Sequence, residues 1–151
     1  MMAHPHHRRS TAMSLVVLGA LAAGACQQQA GGLPRPPDSA QPVAATGPHP
    51  QRLDLVIADV RRRLTAAGDA ALTVRSFTVP RATEWDAMVE HYSRDLGGDW
   101  KPAGDVPPSA FAYRFAAWRS SGKVFSVAFI ETPDPERPTD FRLLVEATTA
   151  R

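Results

Sequence analysis

Cysteine is almost absent. Cys26 is the single one in 151 residues, so no intrachain disulfide staples the fold. Lysine is scarce too, with Lys101 and Lys123 the only two among 17 basic residues. No apolar run approaches the ~20 residues that a membrane-spanning helix requires; the uncharged stretch at 15–25 (LVVLGALAAGA) has eleven. After Cys26 only His49 and His91 remain, neither at metal-ligand spacing to another His or Cys, so no metal site is expected. Acidic residues are missing before Cys26. With Arg8 and Arg9 of that segment set aside, 15 basic residues face 15 acidic ones. A nucleic-acid binder carries a clustered basic surplus instead, so no nucleic-acid partner is expected. Gly-x-Ser-x-Gly elbows and phosphate-cradling glycine loops are also lacking, which leaves no expected cofactor and no expected catalytic residue.

What is present first is an address. Arg8 and Arg9, with His4, His6 and His7, precede the eleven-residue apolar run, and small residues lead from it to Cys26. This is the layout of a secretory signal. The stretch Ala23-Gly24-Ala25-Cys26 resembles the lipobox of bacterial lipoproteins, with Ala23 where that family prefers Leu. The resemblance covers the first 26 residues and no more. It implies cleavage before Cys26, a diacylglycerol thioether on the Cys26 thiol and acylation of the new amine. Each buried methylene contributes about 0.8 kcal/mol, so several chains anchor stably where one is marginal. Expected localisation is therefore export, with a lipid anchor in a bacterial membrane and the domain facing the periplasm or cell exterior.

Three segments are expected: a signal peptide at 1–25, the lipidated Cys26 with a proline-rich tether at 26–50, and one small domain at 51–151. Six of the 24 residues at 27–50 are proline, and apolar side chains there follow no period. Such a chain offsets little of its ordering entropy, and extended at ~3.1 Å per residue it would reach roughly 70 Å.

In the domain, Leu53, Val56, Ile57, Val60 and Leu64 recur at helical spacing over 52–67. The run Arg61, Arg62, Arg63 fans around the flanks of that stripe and reads as a solvated face. Trp85, Met88, Val89, Tyr92 and Leu96 mark a second helix, with Thr83 and Asp86 as a capping box and Gly97-Gly98 as its stop. Residues 71–79 (ALTVRSFTV) form a strand whose alternation slips between Val74 and Phe77, by a bulge or by burial on both faces. Strands are expected at 111–117, 125–129 and 141–146, with a turn at Ser120-Ser121-Gly122 and a short strand at 99–102. The fold class is thus α+β: an antiparallel sheet of about four strands, in the order α-β-α-(β)-β-β-β, with both helices on one face.

Chemistry is sparse. Asp86 and Glu90 are i,i+4 neighbours off the apolar stripe and read as surface charges, as does His91. If Phe111, Tyr113 and Phe115 face the helices, then Arg114 and Trp118 point outward, an aromatic–arginine surface suited to a partner protein or glycan. The leading expectation is a non-enzymatic envelope module that binds another envelope component through that face or the 132–140 loop. The alternative is a small-ligand carrier or sensor with a cleft lined by Trp85, Tyr92 and Tyr113.

Overall fold

The proline-rich segment does not stay outside the domain. In the computed structural model, which describes residues 33–44, 50–65, 71–104, 106, 109 and 111–150, residues 33–44 lie against the sheet as a strap. Pro34 and Pro37 are buried, and the Ala40 amide donates to the Pro37 carbonyl at 2.8 Å, turning the chain. It then pairs as β1 (Gln41–Pro42) with Thr78 and Phe77. An edge strand tolerates proline because its outer side needs no amide donor. The expected featureless tether is thereby corrected over 33–44: prolines that cannot build a core of their own still dock on one built elsewhere.

The remaining elements are α1 (Gln51–Thr65), β2 (Ala71–Pro80), α2 (Trp85–Leu96), β3 (Lys101–Pro102), β4 (Arg114–Ser120), β5 (Lys123–Ile130) and β6 (Phe141–Ala150). The class is α+β, as expected. Among the described residues the sheet has six strands rather than about four, in the order β1-β2-β6-β5-β4-β3, every pair antiparallel. Two of the six are two-residue edge strands, β1 from the strap and β3 inside the anticipated 99–102 stretch.

The larger correction concerns the helices, which cover opposite faces. Leu53, Val56, Val60 and Leu64 of α1 pack on Ala128, Ile130, Leu143, Val145 and Ala147. Met88 and Tyr92 of α2 pack on Phe77, Val79, Trp118, Phe125, Val127, Phe129 and Leu144. Successive strand residues alternate between faces, so the two sets are the two sides of one sheet. Central strands apolar on both sides require two covers, and β5 (KVFSVAFI) is buried from Phe125 through Ile130. The slip in β2 has the same origin. Its register with β6 runs unbroken from Ala71↔Ala150 to Pro80↔Phe141, so there is no bulge; Leu72 and Val74 face α1 while Phe77 and Val79 face α2.

Local signals were kept at two of three punctuation points. Gly97 ends α2 at φ 76°. Ser121 and Gly122, at φ 47° and 80°, form a two-residue turn closed by the Ser120↔Lys123 pair, the type I′ geometry that suits a twisted hairpin. The capping box does not form. Glu84 occupies the N-cap without a side-chain cap hydrogen bond, and Thr83 serves a turn instead: its amide donates to the Pro80 carbonyl and its carbonyl accepts from Arg142 Nη1 at 2.6 Å.

Candidate functional site

The residues anticipated as an outward surface divide. Arg114 is exposed, with its Nε donating to Glu131 Oε1 at 3.0 Å. Trp118 is 5% exposed, stacked at 6.1 Å from Phe125 beneath α2. The face expected to be open is covered, because α2 lies on it and not beside α1. The anticipated cleft is dispersed as well. Trp85 and Tyr92 lie on the α2 side, Tyr113 packs on the α1 side, and the sheet separates them. Cys26 and His49 fall outside the described residues. Glu90 pairs with Arg94 at 2.8 Å across an exposed turn and Asp86 is exposed; such a pair contributes about 0.3–0.5 kcal/mol.

What the fold brings together instead is a buried polar cluster under α2. Glu146 on β6 stands directly opposite Arg75 on β2 and forms an ion pair with it. From above, Tyr92 donates its hydroxyl proton to Glu146 Oε1 at 2.5 Å. Glu146 is 2% exposed and Tyr92 fully buried. Burial pushes the Glu146 carboxyl up from its ordinary value, opposed by the Tyr92 hydrogen bond and the Arg75 charge. Burial raises Tyr92 as well, followed by the negative charge of Glu146, so the phenol remains a proton donor. Arg75 Nη2 also donates to the Pro34 carbonyl at 2.7 Å. Beside it, the Arg35 carbonyl lies 2.8 Å from His91 Nε2, and the Arg35 amide donates to Asp95 Oδ2 at 2.7 Å. His91, expected on the surface, is half-buried with its ring edge-on to Tyr92 at 5.1 Å. The cluster thus holds the strap at its start.

A second cluster lies under α1. Asp59 is buried and accepts from the Tyr113 hydroxyl and the Ser109 hydroxyl, both at 2.7 Å, and from Arg62. Desolvation raises its carboxyl, but the three hydrogen bonds and the Arg62 charge outweigh it and hold Asp59 below its ordinary value. Arg63 donates to the Tyr113 hydroxyl at 2.8 Å, and its guanidinium lies 3.8 Å from the Phe115 ring centre. Arg61 and Arg62 are exposed as expected, but Arg63 is 7% exposed. It is the one of the three that turns inward, to an aromatic face.

Asp59 is occupied by the Tyr113, Ser109 and Arg62 donors, and Glu146 takes the Tyr92 hydroxyl and the Arg75 charge beneath α2. Among the described residues, no group of three or more His, Cys, Asp or Glu is placed to hold a metal ion, and no helix is long and apolar enough to cross a membrane. One open groove of about 460 Å³ lies between the end of the strap, α1 and β2, lined mainly by Pro42, Val43, Leu53, Ile57, Val74 and Phe77. No family model, no curated protein and no solved structure matches this chain. Its function is therefore read from its own residues.

Sequence reading missed both clusters. Glu146 alternates with Arg142 on a strand otherwise apolar, which looks like a solvent face until the β2–β6 register sets Arg75 opposite. Asp59 sits between Val56 and Val60 on the margin of the α1 stripe; that margin was the available signal. Their titrations have opposite signs. A raised carboxyl such as Glu146 contributes stability that is present below the ordinary glutamate value of 4.5 and lost as pH rises through the folded value. The lowered Asp59 contributes stability present above 3.8 and lost as pH falls through its folded value. In urea titrations, Glu146→Gln is expected to flatten the decline on the neutral side and Asp59→Asn the decline on the acid side. Unchanged slopes would assign the pH dependence to other groups.

Proposed function

We propose that the chain is an exported cell-envelope lipoprotein, held to a bacterial membrane by acyl chains on Cys26, whose folded domain binds another envelope component without performing catalysis. The observation that carries the anchor is the Ala23-Gly24-Ala25-Cys26 stretch at the end of an eleven-residue apolar run, holding the only cysteine of the chain. An unpaired thiol is otherwise an odd choice for an oxidising compartment. The binding role is supported by the way both faces of the sheet are closed: Phe125, Val127 and Phe129 are at most 1% exposed beneath α2, as are Ile130, Leu143 and Val145 beneath α1. The three aromatics that a carrier cleft would use, Trp85, Tyr92 and Tyr113, lie on opposite sides of the sheet.

With Trp118 inside, the surface we assign to a partner protein or glycan is the segment 131–140 (ETPDPERPTD), which carries four carboxylates and Arg137, with Glu131 paired to Arg114. Asp134 braces it, accepting from the Glu136 and Arg137 amides and from Arg137 Nε. The backbone bond from Glu136 is the main cause that keeps the Asp134 carboxyl below its ordinary value, so the loop stays anionic. A basic patch on an envelope protein is the complementary partner.

Fractionation tests the anchor. Wild-type protein is expected in the membrane fraction with diacylglycerol on an N-terminal Cys26 by mass spectrometry, and Cys26→Ser in the soluble fraction. Equal membrane retention of the two proteins overturns the assignment. Crosslinking in intact cells tests the loop: charge-reversed Glu136→Lys/Asp140→Lys is expected to lose the partner that wild type captures.

A further inference from the structure

The strap changes how the anchored domain is held. Only six residues, 27–32, lie between Cys26 and the first described residue, Leu33. Even fully extended, at ~3.5 Å per residue, they span roughly 21 Å, not the ~70 Å that a free tether to residue 50 would allow. The point of entry is also defined. The Arg35 amide is bonded to Asp95 in the last turn of α2, and the Pro34 carbonyl to Arg75. The direction of α2 follows from its ring contacts: Trp85 lies over Phe129 and Tyr92 over Phe125. Its last turn therefore points to the β4–β5 hairpin end of the sheet. The 131–140 segment leaves β5 at the other end, eight residues away, or roughly 25 Å at ~3.4 Å per residue.

These two ends differ in charge. The only two lysines of the chain are both at the strap-entry end, Lys101 in β3 and Lys123 at the hairpin. Arg119 stands opposite Lys101, and all three are exposed. The acids near them are Asp99 and Asp95, and Asp95 already accepts from the strap. The far end carries Glu131, Asp134, Glu136 and Asp140 with Arg137 in the loop itself, while Arg114 pairs with Glu131, Arg52 donates to the Thr132 carbonyl and the Arg81 amide donates to the Asp140 carbonyl. An anionic bilayer attracts exposed Lys and Arg within about a Debye length of its surface, and a short anchor keeps one end inside that range.

We propose that the docked strap orients the domain on its own membrane, with Lys101 and Lys123 against anionic headgroups and the acidic 131–140 loop directed away toward its partner. The proposal rests on the Cys26 anchor. Its test uses the full acylated protein in vesicles of phosphatidylglycerol and phosphatidylethanolamine that carry a headgroup acceptor dye. Because Cys26 is consumed as a thioether, a cysteine introduced by Ser93→Cys or Glu136→Cys is the sole reactive thiol for a donor dye. Energy transfer is expected to be larger from position 93 than from 136. The difference should be lost with a long Gly-Ser insertion between Gly31 and Gly32, and reduced by Lys101→Glu/Lys123→Glu or by phosphatidylcholine vesicles. Equal transfer from both positions in acylated wild type overturns the orientation while leaving the anchor intact. An unacylated Cys26 by mass spectrometry overturns the anchor and the orientation together.

Discussion

Trp118→Ala is expected to lower the free energy of unfolding by about 3–5 kcal/mol, the usual cost of deleting a buried large aromatic. The indole is 5% exposed and stacks on Phe125, its cross-strand partner, at 6.1 Å, while Pro102 flanks it on the other strand. Truncation leaves a cavity in the cluster that Trp118 forms with Met88, Tyr92 and Phe125. Thermal unfolding followed by circular dichroism measures it, and for a domain of about 100 residues each kcal/mol moves the midpoint by roughly 4–8 °C. Arg114→Ala, on the same strand face but exposed and paired with Glu131, should change stability by at most about 1 kcal/mol. A stable Trp118→Ala protein would mean that the indole is not in the core and would restore it to the outer surface.

Arg75→Met comes next, at about 3 kcal/mol. Removing one partner of a buried pair costs about 3–5 kcal/mol, and the lower end applies because the Arg75 side chain keeps 32% of its exposure while Glu146 keeps 2%. The abandoned carboxylate then has only Tyr92 as donor, so its titration moves further upward and the loss of stability with rising pH steepens. Combining Arg75→Met with Glu146→Leu should recover most of the loss, since an apolar pair of similar volume has no charge to strand. The single variant also removes the bond from Arg75 to the Pro34 carbonyl. Hydrogen exchange should therefore accelerate at the Val43 amide, which is bonded to Ser76, beyond what global destabilisation explains. Protection of Val43 equal to that of the β5–β6 amides in both proteins would separate the strap from the ion pair.

These two residues illustrate how much of the site was legible. Trp118 points outward only if both helices lie on the face of Tyr113 and Phe115. Phe111, Tyr113 and Phe115 looked like the sole apolar face of their strand, whereas Ala116 and Trp118 face a second layer. Arg75 and Glu146 could not be paired at all from a single chain of letters, because nothing local sets a residue on β2 opposite one on β6. Asp59, Tyr113 and Ser109 pose the same difficulty: the Tyr113–Asp59 and Ser109–Asp59 bonds span 54 and 50 positions.

Local order was readable because it depends on neighbours within a turn or two. The stripe from Leu53 to Leu64, the stripe from Met88 to Tyr92, the alternation along β5 and β6 and the glycines at 97 and 122 each specify backbone geometry within their own short windows, and those elements form. The strand expected at 111–117 instead runs from Arg114 to Ser120, leaving Phe111 exposed before it. Tertiary structure alone decided which face each helix covers, that the proline-rich stretch lies down as a strap, and which charges are buried. Those outcomes depend on how segments 40 to 70 residues apart meet. A buried carboxylate is tolerated only once the returning chain supplies its cation and hydroxyl, and that pairing exists in space, not in the order of the residues.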